Sequence, residues 1–253
     1  MKSVIIIPAR LGSTRLPRKL LLRETGKSLL RHTYEAASKS QRASKVIVAA
    51  DDPEIVAEVE SFGGNVVMTD PNHTCGTDRI AEVANDRPEF DLFINVQGDE
   101  PEISADAIDL AITLLEQNPD VRMSTLATPI CDRESFENPN CVKVVVDRNL
   151  RALYFSRSPI PHPRKWDESL LTTDEKTTAA NFLQHVGLYG YRREFLLTIP
   201  SLPPAPMEKI ESLEQLRVLF NGYAILVGII NDPICGIDTA EDYGSFVRRQ
   251  SNC

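Results

Sequence analysis

Short apolar runs alternate with helical patterns through the first half of the chain, and no other feature restricts its fold as much. Residues 4–7, 46–50, 66–68, 92–96 and 123–128 are short and mostly apolar, the mark of strands buried on both faces. Residues 29–37 carry helical periodicity, and Pro53 suits a first helical turn whose apolar face (Ile55, Val56, Val59) ends at Gly63-Gly64. Residues 78–85 and 104–117 read as further helices, the latter with Ser104 at its N-cap. This repetition predicts an α/β fold, a mostly parallel twisted sheet with helices on both faces. Such sheets bind ligands beyond the carboxyl ends of their strands. The loops holding Arg10, Asp51, Thr69 and Gln97-Gly98-Asp99 are therefore candidate site loops.

The second half follows a different pattern. Residues 142–146 and 152–155 suggest a hairpin around a turn with Asp147, Arg148 and Asn149. Residues 159–181 are polar, contain prolines and lack periodicity, so a long mobile loop is expected. A strand over 185–191, a helix over 209–221, a strand over 225–230 and a helix over 240–249 capped by Asp238 or Thr239 complete the pattern. With 253 residues and no linker between halves, one domain over 1–253 is expected, with a smaller β-containing insertion at about 130–205.

Charge narrows the function. The net charge of −8 argues against a general nucleic-acid binder, yet Lys2, Arg10, Arg15, Arg18, Lys19 and Arg23 all precede the first acid, Glu24. No apolar run is long enough to span a membrane, and the opening run 4–7 is too short for the core of a signal peptide. Five cysteines with no C-x-x-C fit neither a disulfide framework nor a zinc site, and reduced thiols in a cytoplasm are expected. Neither a Walker loop nor G-x-G-x-x-G is present.

Three constellations carry chemistry. The loop after the first strand, Pro8 through Lys19, combines small and kinking residues (Pro8, Ala9, Gly12, Ser13) with Arg10, Arg15 and Lys19. Such a loop lets backbone and cations close on a triphosphate, and guanidiniums hold phosphate oxygens in a fork. Its bland reading is a solvated basic loop; its place at the carboxyl edge of a sheet favours the functional one. Next, Asn95-Val96-Gln97-Gly98-Asp99 ends another strand, and Asp238 follows the strand at 225–230. Two carboxylates facing a cationic loop are consistent with a Mg²⁺–triphosphate site, since Mg²⁺ needs only one or two protein carboxylates. The third, His73-Thr74-Cys75-Gly76-Thr77-Asp78-Arg79, opens a helix whose amides can meet an anion or a base edge, or Thr77 is simply its cap. Cys75 lacks an activating base. Arg157, the strand neighbours His185 and Tyr189, and Glu214-Gln215 are polar groups amid apolar patterns, either satisfied core residues or ligands.

Eight ordered segments resemble the 3-deoxy-manno-octulosonate (Kdo) cytidylyltransferases: IIPARLGSTRLPRKLL, HTCGTDRIAEV, INVQGDEP, NPNCVKVVVD, ALYFSRSPIP, HVGLYGYR, LEQLRVL and GIDTAEDY. The resemblance spans nearly the whole chain. It implies a nucleotide-diphospho-sugar transferase-like fold, a homodimer with the inserted region at its contact and sugar pocket, and lipopolysaccharide biosynthesis in the cytoplasm. The implied reaction joins CTP and an acidic eight-carbon sugar, giving CMP-Kdo and pyrophosphate with Mg²⁺. Carried over, Pro8, Ala9, Arg10, Ser13, Arg15 and Lys19 bind the nucleotide, and the loop Thr74, Cys75, Gly76 and Thr77 reads cytosine. Asp99 and Asp238 bind the metal; these two, with Arg10, Arg15 and Lys19, form the catalytic set. Gln97 serves both substrates, and Arg79, Arg157, His185, Tyr189, Glu214 and Gln215 line the sugar pocket. Departures from the family pattern are Cys75 for serine, Arg18 for glycine, Leu11-Gly12 for Tyr-Ala, and His162 for tryptophan. The last leaves 8-amino-Kdo or a sialic acid as alternative sugars, and a non-catalytic nucleotide-binding module as an alternative of another class.

Overall fold

The computed structural model describes residues 1–13, 15–73, 75–171, 180–231 and 236–251. Its first half is the expected alternation: β1 (Ser3–Ala9), α1 (Leu29–Ala37), β2 (Ala43–Ala50), α2 (Pro53–Ser61), β3 (Val66–Met68), α3 (Gly76–Asn85), β4 (Leu92–Asn95), α4 (Ala105–Gln117) and β5 (Met123–Pro129). Then follow α5 (Arg133–Glu137), the antiparallel hairpin β6 (Lys143–Val146) and β7 (Ala152–Ser156), and β8 (Leu183–Arg192). Helices α6 (Arg193–Thr198), α7 (Pro206–Glu211) and α8 (Gln215–Phe220), strand β9 (Ile225–Ile229) and α9 (Ala240–Ser251) complete the chain. No helix among the described residues is long and apolar enough to cross a membrane.

The strand order is β3-β2-β1-β4-β8-β5-β9, with β6 pairing β7 and β8 off this path. Every pair in that order is parallel except those made by β8, which is antiparallel to both β4 and β5. From β1 the sheet grows one way through β2 and the other way through β4, so a crevice opens where the β1 and β4 loops part. Because β8 runs backwards, its N-terminal half, from His185 to Tyr189, reaches the same edge as the carboxyl ends of the parallel strands.

Period-2 alternation divides the core. Ile5, Ile7, Val48 and Ile94 pack with the apolar faces of α1, α2, α4 and α9, whereas Val4, Ile6, Ile47 and Phe93 pack with α3, α6 and α8. A smaller cluster joins Ile130, Phe136 and Phe182 to Trp166, Leu170 and Leu171. Trp166 stacks on Phe136 with centroids 5.6 Å apart, and Glu168–Leu171 forms a 3₁₀ turn. The part of the expected mobile loop lying within 159–171 is thus packed; residues 172–179 lie outside the described residues.

Two local expectations need correction. The helix expected over 209–221 is two helices, because Ser212 takes a left-handed conformation (φ 53°) and breaks the run between α7 and α8. Ser104 holds the N-cap position of α4, but its side chain makes no capping hydrogen bond. At α9, Thr239 Oγ1 accepts from the Asp242 amide (3.1 Å), and the Asp242 carboxylate accepts from the Thr239 amide (2.8 Å).

Gly190 marks the tightest point of β8. A Cβ there would lie 2.5 Å from Ser124 Oγ and 3.2 Å from both Ile94 Cδ1 and Leu115 Cδ1. Overpacking of this kind costs about 1–3 kcal/mol. Gly190→Ala is therefore expected to lower the unfolding free energy by about that amount in urea titration, and an unchanged midpoint would refute the packing assigned to β8.

Candidate active site

The loop after β1 is fixed at its start. The Leu11 amide donates to Asp51 Oδ1 (3.0 Å) and the Asp51 amide to the Ala9 carbonyl (3.2 Å), joining the ends of β1 and β2. Pro8 lies between two glycines: a Cβ on Gly76 would stand 3.5 Å from its ring, and one on Gly98 would stand 3.2 Å from its carbonyl oxygen. Small residues at those positions let the loops after β1, β3 and β4 meet. Further along, Lys19 lies in a 3₁₀ turn, and its ammonium donates to Asp99, to Asp238 Oδ1 (3.0 Å) and to the Ile237 carbonyl (3.0 Å). Arg15 pairs with the same Asp238 oxygen at 2.9 Å. The Ile237 amide donates to the Asp99 carbonyl (2.9 Å), so backbone as well as side chains hold the two acidic segments together. Burial pushes the Lys19 ammonium down, but Asp99 and Asp238 outweigh it, and its pKa stands above the ordinary value. Arg10 differs from these, with a buried Nη2 that has no hydrogen-bond partner.

A cavity of about 610 Å³ adjoins this cluster. Arg15, Cys75, Gly76 and Thr77 face it from the loops after β1 and β3, and Gln97, Arg157, His185, Tyr189, Glu214 and Gln215 form much of the remaining wall. The break at Ser212 is what brings Glu214 and Gln215 to the wall at the start of α8. Thr77 Oγ1 donates to Glu214 Oε2 (3.0 Å), and the buried Gln215 has an unpartnered amide nitrogen. Arg157 is held from several sides. Its amide donates to Glu211 Oε2 (2.9 Å), Nε to the Glu211 carbonyl (2.7 Å) and Nη1 to the Pro139 carbonyl (3.2 Å). The fully buried Lys143 ammonium donates to the carbonyls of Arg157 and Asn138, each at 2.8 Å, which fixes the backbone beneath the guanidinium.

The structure therefore joins ten of the expected residues around one cavity and sets Lys19, Asp99 and Asp238 at its edge. Pro8, Ala9, Arg10 and Arg79 are not part of the cavity wall. Arg79 is fully buried, donates to Thr69 Oγ1 and lies 3.8 Å from Asp51. Burial holds its pKa below the ordinary arginine value; Asp51 opposes that effect and Arg10 adds to it. Arg79 stands in the first turn of α3, off the cavity wall expected from its motif, and its Nε and Nη2 have no hydrogen-bond partner. Thr74 lies outside the described residues, and no side-chain contact is recorded for Ser13. The reading of Thr77 as the helix cap does not hold, since Cys75 is the N-cap of α3 and its sulfur accepts from the Asp78 amide at 3.4 Å. Burial raises the Cys75 thiol to about 12, which rules it out as a nucleophile near neutrality.

Sequence reasoning missed Asn95, Tyr191 and Arg217, which also face the cavity. Tyr191 was detectable, being two residues from Tyr189 on one strand face. Arg217 was not, because its fork on Glu208 (Nη2 to Oε1, 2.6 Å) depends on the turn between α7 and α8. Glu100, next to Asp99 in sequence, is a further group that sequence reasoning did not single out. Its carboxyl is buried beside Asp99, and burial first, then that neighbouring charge, push it up to about 8.

Residues 4–225 match the family described as cytidylyltransferase. A 3-deoxy-manno-octulosonate cytidylyltransferase of Rhodopirellula baltica is 51% identical over 249 residues, covering 98% of both chains. Its counterpart in Geobacter metallireducens is 46% identical over 254 residues, covering 99% of this chain and 98% of its own. The chain belongs to the 3-deoxy-manno-octulosonate cytidylyltransferase family. A solved CMP:2-keto-3-deoxy-manno-octonic acid synthetase complexed with CTP superposes with a TM-score of 0.90 at 38% identity, covering 100% of this chain and 99% of that one. A 4-diphosphocytidyl-2C-methyl-D-erythritol synthase of Anaerococcus prevotii (TM-score 0.60, 15% identity) shares the fold.

Of this member's departures from the family pattern, only Cys75 touches the cavity. Arg18 pairs with Glu54, Gly12 has open space around it, and His162 is exposed and away from the wall.

His185 makes stability depend on pH. Burial lowers it from 6.5 to about 3, so the folded protein holds it neutral while the unfolded chain protonates near 6.5. Its contribution is complete above pH 6.5 and is lost as pH falls from there toward 3. Between pH about 7 and about 5, unfolding free energy should fall more steeply in the wild type than in His185→Gln, by up to about 1.4 kcal/mol per pH unit. Parallel slopes in denaturant titrations would remove His185 as the source.

Proposed function

We propose that the protein transfers the cytidylyl group of CTP to the acidic sugar Kdo, releasing pyrophosphate, with Mg²⁺ as its metal. The observation that carries this reading is the meeting of Lys19, Arg15, Asp99 and Asp238 at the edge of a cavity walled by Gln97, Arg157, His185, Tyr189, Glu214 and Gln215. A cationic cluster suited to phosphates thus adjoins a polar pocket large enough for a sugar acid.

The donor set suits the metal. Among the described residues no group of three or more His, Cys, Asp or Glu forms a metal site. Asp99 and Asp238 nevertheless converge on a single cation, the Lys19 ammonium, and this convergence supports a reading in which both carboxylates serve one positive centre. Two hard oxygen donors match Mg²⁺, which retains waters and takes phosphate oxygens for the rest of its shell. Bound there, Mg²⁺ would add positive charge at the phosphate and acidify a coordinated hydroxyl.

The chain's own residues do the remaining work. Arg10, Arg15 and Lys19 hold the triphosphate and offset the charge that develops on the leaving pyrophosphate. Arg157, anchored by Glu211 and Pro139, faces the sugar carboxylate, while Gln97, Tyr189, Glu214 and Gln215 orient the hydroxyls so that the anomeric oxygen attacks in line. Cytosine is read by the loop at Cys75–Thr77, whose glycine packs on Pro8. The reading includes a homodimer acting in the cytoplasm, with a product destined for lipopolysaccharide.

Pyrophosphate release is expected with CTP, Mg²⁺ and Kdo, in preference to 8-amino-Kdo or a sialic acid when the sugars compete for limiting enzyme. Binding of CTP by well-folded protein without release at high Kdo would identify a non-catalytic module instead. Asp99→Asn should lower turnover by about 100-fold or more with the thermal melt retained. Undiminished turnover in that variant would overturn the metal assignment.

A further inference from the structure

β8 carries an irregularity at the cavity wall. Thr125 of β5 pairs with Tyr189, but the next residue, Leu126, pairs with Val186, so Gly187 and Leu188 bulge from the ladder. The fully buried Thr125 hydroxyl sits beneath this bulge, 3.1 Å from the Val186 carbonyl, 2.9 Å from the Leu188 carbonyl and 3.0 Å from His185 Nε2. A hydroxyl has one proton to donate and lone pairs to accept with. Carbonyls only accept, so the proton goes to them. If Nε2 were also an acceptor and took that proton, two carbonyl oxygens would face hydroxyl lone pairs at hydrogen-bond distance. If Nε2 carries a proton, the hydroxyl accepts from it and keeps its own proton for the carbonyls, given to one or shared between the two, so at most one carbonyl faces a lone pair.

We propose that Thr125 is a positioning residue that holds His185 as the Nε2–H tautomer, leaving Nδ1 as an acceptor toward the cavity, where it receives a hydrogen bond from a sugar hydroxyl. Nδ1 has no hydrogen-bond partner among the described residues, and His185 lines the cavity. Phe155 and Tyr189, with ring centroids 4.9 and 5.4 Å from the imidazole, fix the plane of the ring. The lowered pKa of His185 agrees with this arrangement, since a charged imidazole would carry a proton on both nitrogens and offer no acceptor. An acceptor at this point selects a hydroxyl and turns away the sugar's carboxylate, which is left to Arg157.

The inference about the hydroxyl rests on the sugar-pocket reading above, whereas the tautomer does not, and the experiment separates them. ¹⁵N-histidine spectra of the wild type, with the His185 signals identified by their loss in His185→Asn, report the protonated nitrogen directly. The expected result is Nε2–H in the wild type and in Thr125→Ser, with loss of that preference in Thr125→Val. In steady-state kinetics Thr125→Val should raise KM for the sugar about tenfold, the size of one hydrogen bond, with KM for CTP changed less than about twofold and Thr125→Ser close to wild type. Nδ1–H in the wild type overturns the proposal even if Thr125→Val does not fold. Equal increases in KM for sugar and CTP, or none, overturn the assigned hydroxyl contact. Failure of the wild type to use Kdo would instead count against the sugar reading and leave the tautomer measurement standing.

Discussion

The Lys19 ammonium brings three separate parts of the chain to one point. Its partners Asp99 and Asp238 lie 80 and 219 residues away in sequence, one after β4 and the other before α9. Without a cation between them, two carboxylates sharing one site repel, and one would be driven to protonate. Lys19 removes that conflict, and its three contacts fix the loop after β1 against both acidic segments. Arg15 adds to the same Asp238 oxygen from a more exposed position. The charged end of the site is thus organised around a charge balance set by the fold.

The sugar end depends on a different constraint, the reversed direction of β8. A parallel strand between β4 and β5 would bring its carboxyl end and a following loop to the crevice. The antiparallel β8 instead brings the middle of a strand, whose side chains are held by ladders on both sides. His185, Tyr189 and Tyr191 therefore face the cavity from a rigid wall, and the bulge at Gly187-Leu188 is tolerated because Thr125 fills the space beneath it. Lys143 does the same for Arg157, with a buried ammonium answering two carbonyls. Both cases place a polar core residue one layer behind a residue that meets the cavity.

This layering explains what the sequence could reveal. Strands β1, β4 and the second half of β2 are legible because burial on both faces leaves continuous apolar runs, and Leu29–Ala37 and Val66–Met68 fall at the predicted bounds. Strand order is not local information, and nothing between residues 183 and 192 announces that β8 belongs between β4 and β5. The cationic loop and the paired acids are legible because each follows a strand. Arg79 lies off the cavity wall although its motif adjoins it, because a motif gives adjacency along the chain and not depth in the fold. Thr125 and Lys143 left no signal, since a Thr or Lys inside a strand resembles a solvent-facing residue until its neighbours are known.

The basic opening of an acidic chain now divides into two groups with different work. Arg18 and Arg23 are paired with Glu54 and Glu58, and Lys2 lies over the Phe90 ring at 4.8 Å. Those three have partners and add little to the site. A net charge of −8 would oppose anionic substrates at long range, but screening beyond about 8 Å leaves the local groups in control. Among them Arg10 matters for geometry more than for charge, because its buried Nη2 has an unmet donor. Leaving such a donor unpaired costs about 1–3 kcal/mol, and more for a charged group. On the proposed reading, a phosphate oxygen that reached this nitrogen would remove that cost, so the geometry of the first loop, and not the net charge of the chain, would set how an anion is held.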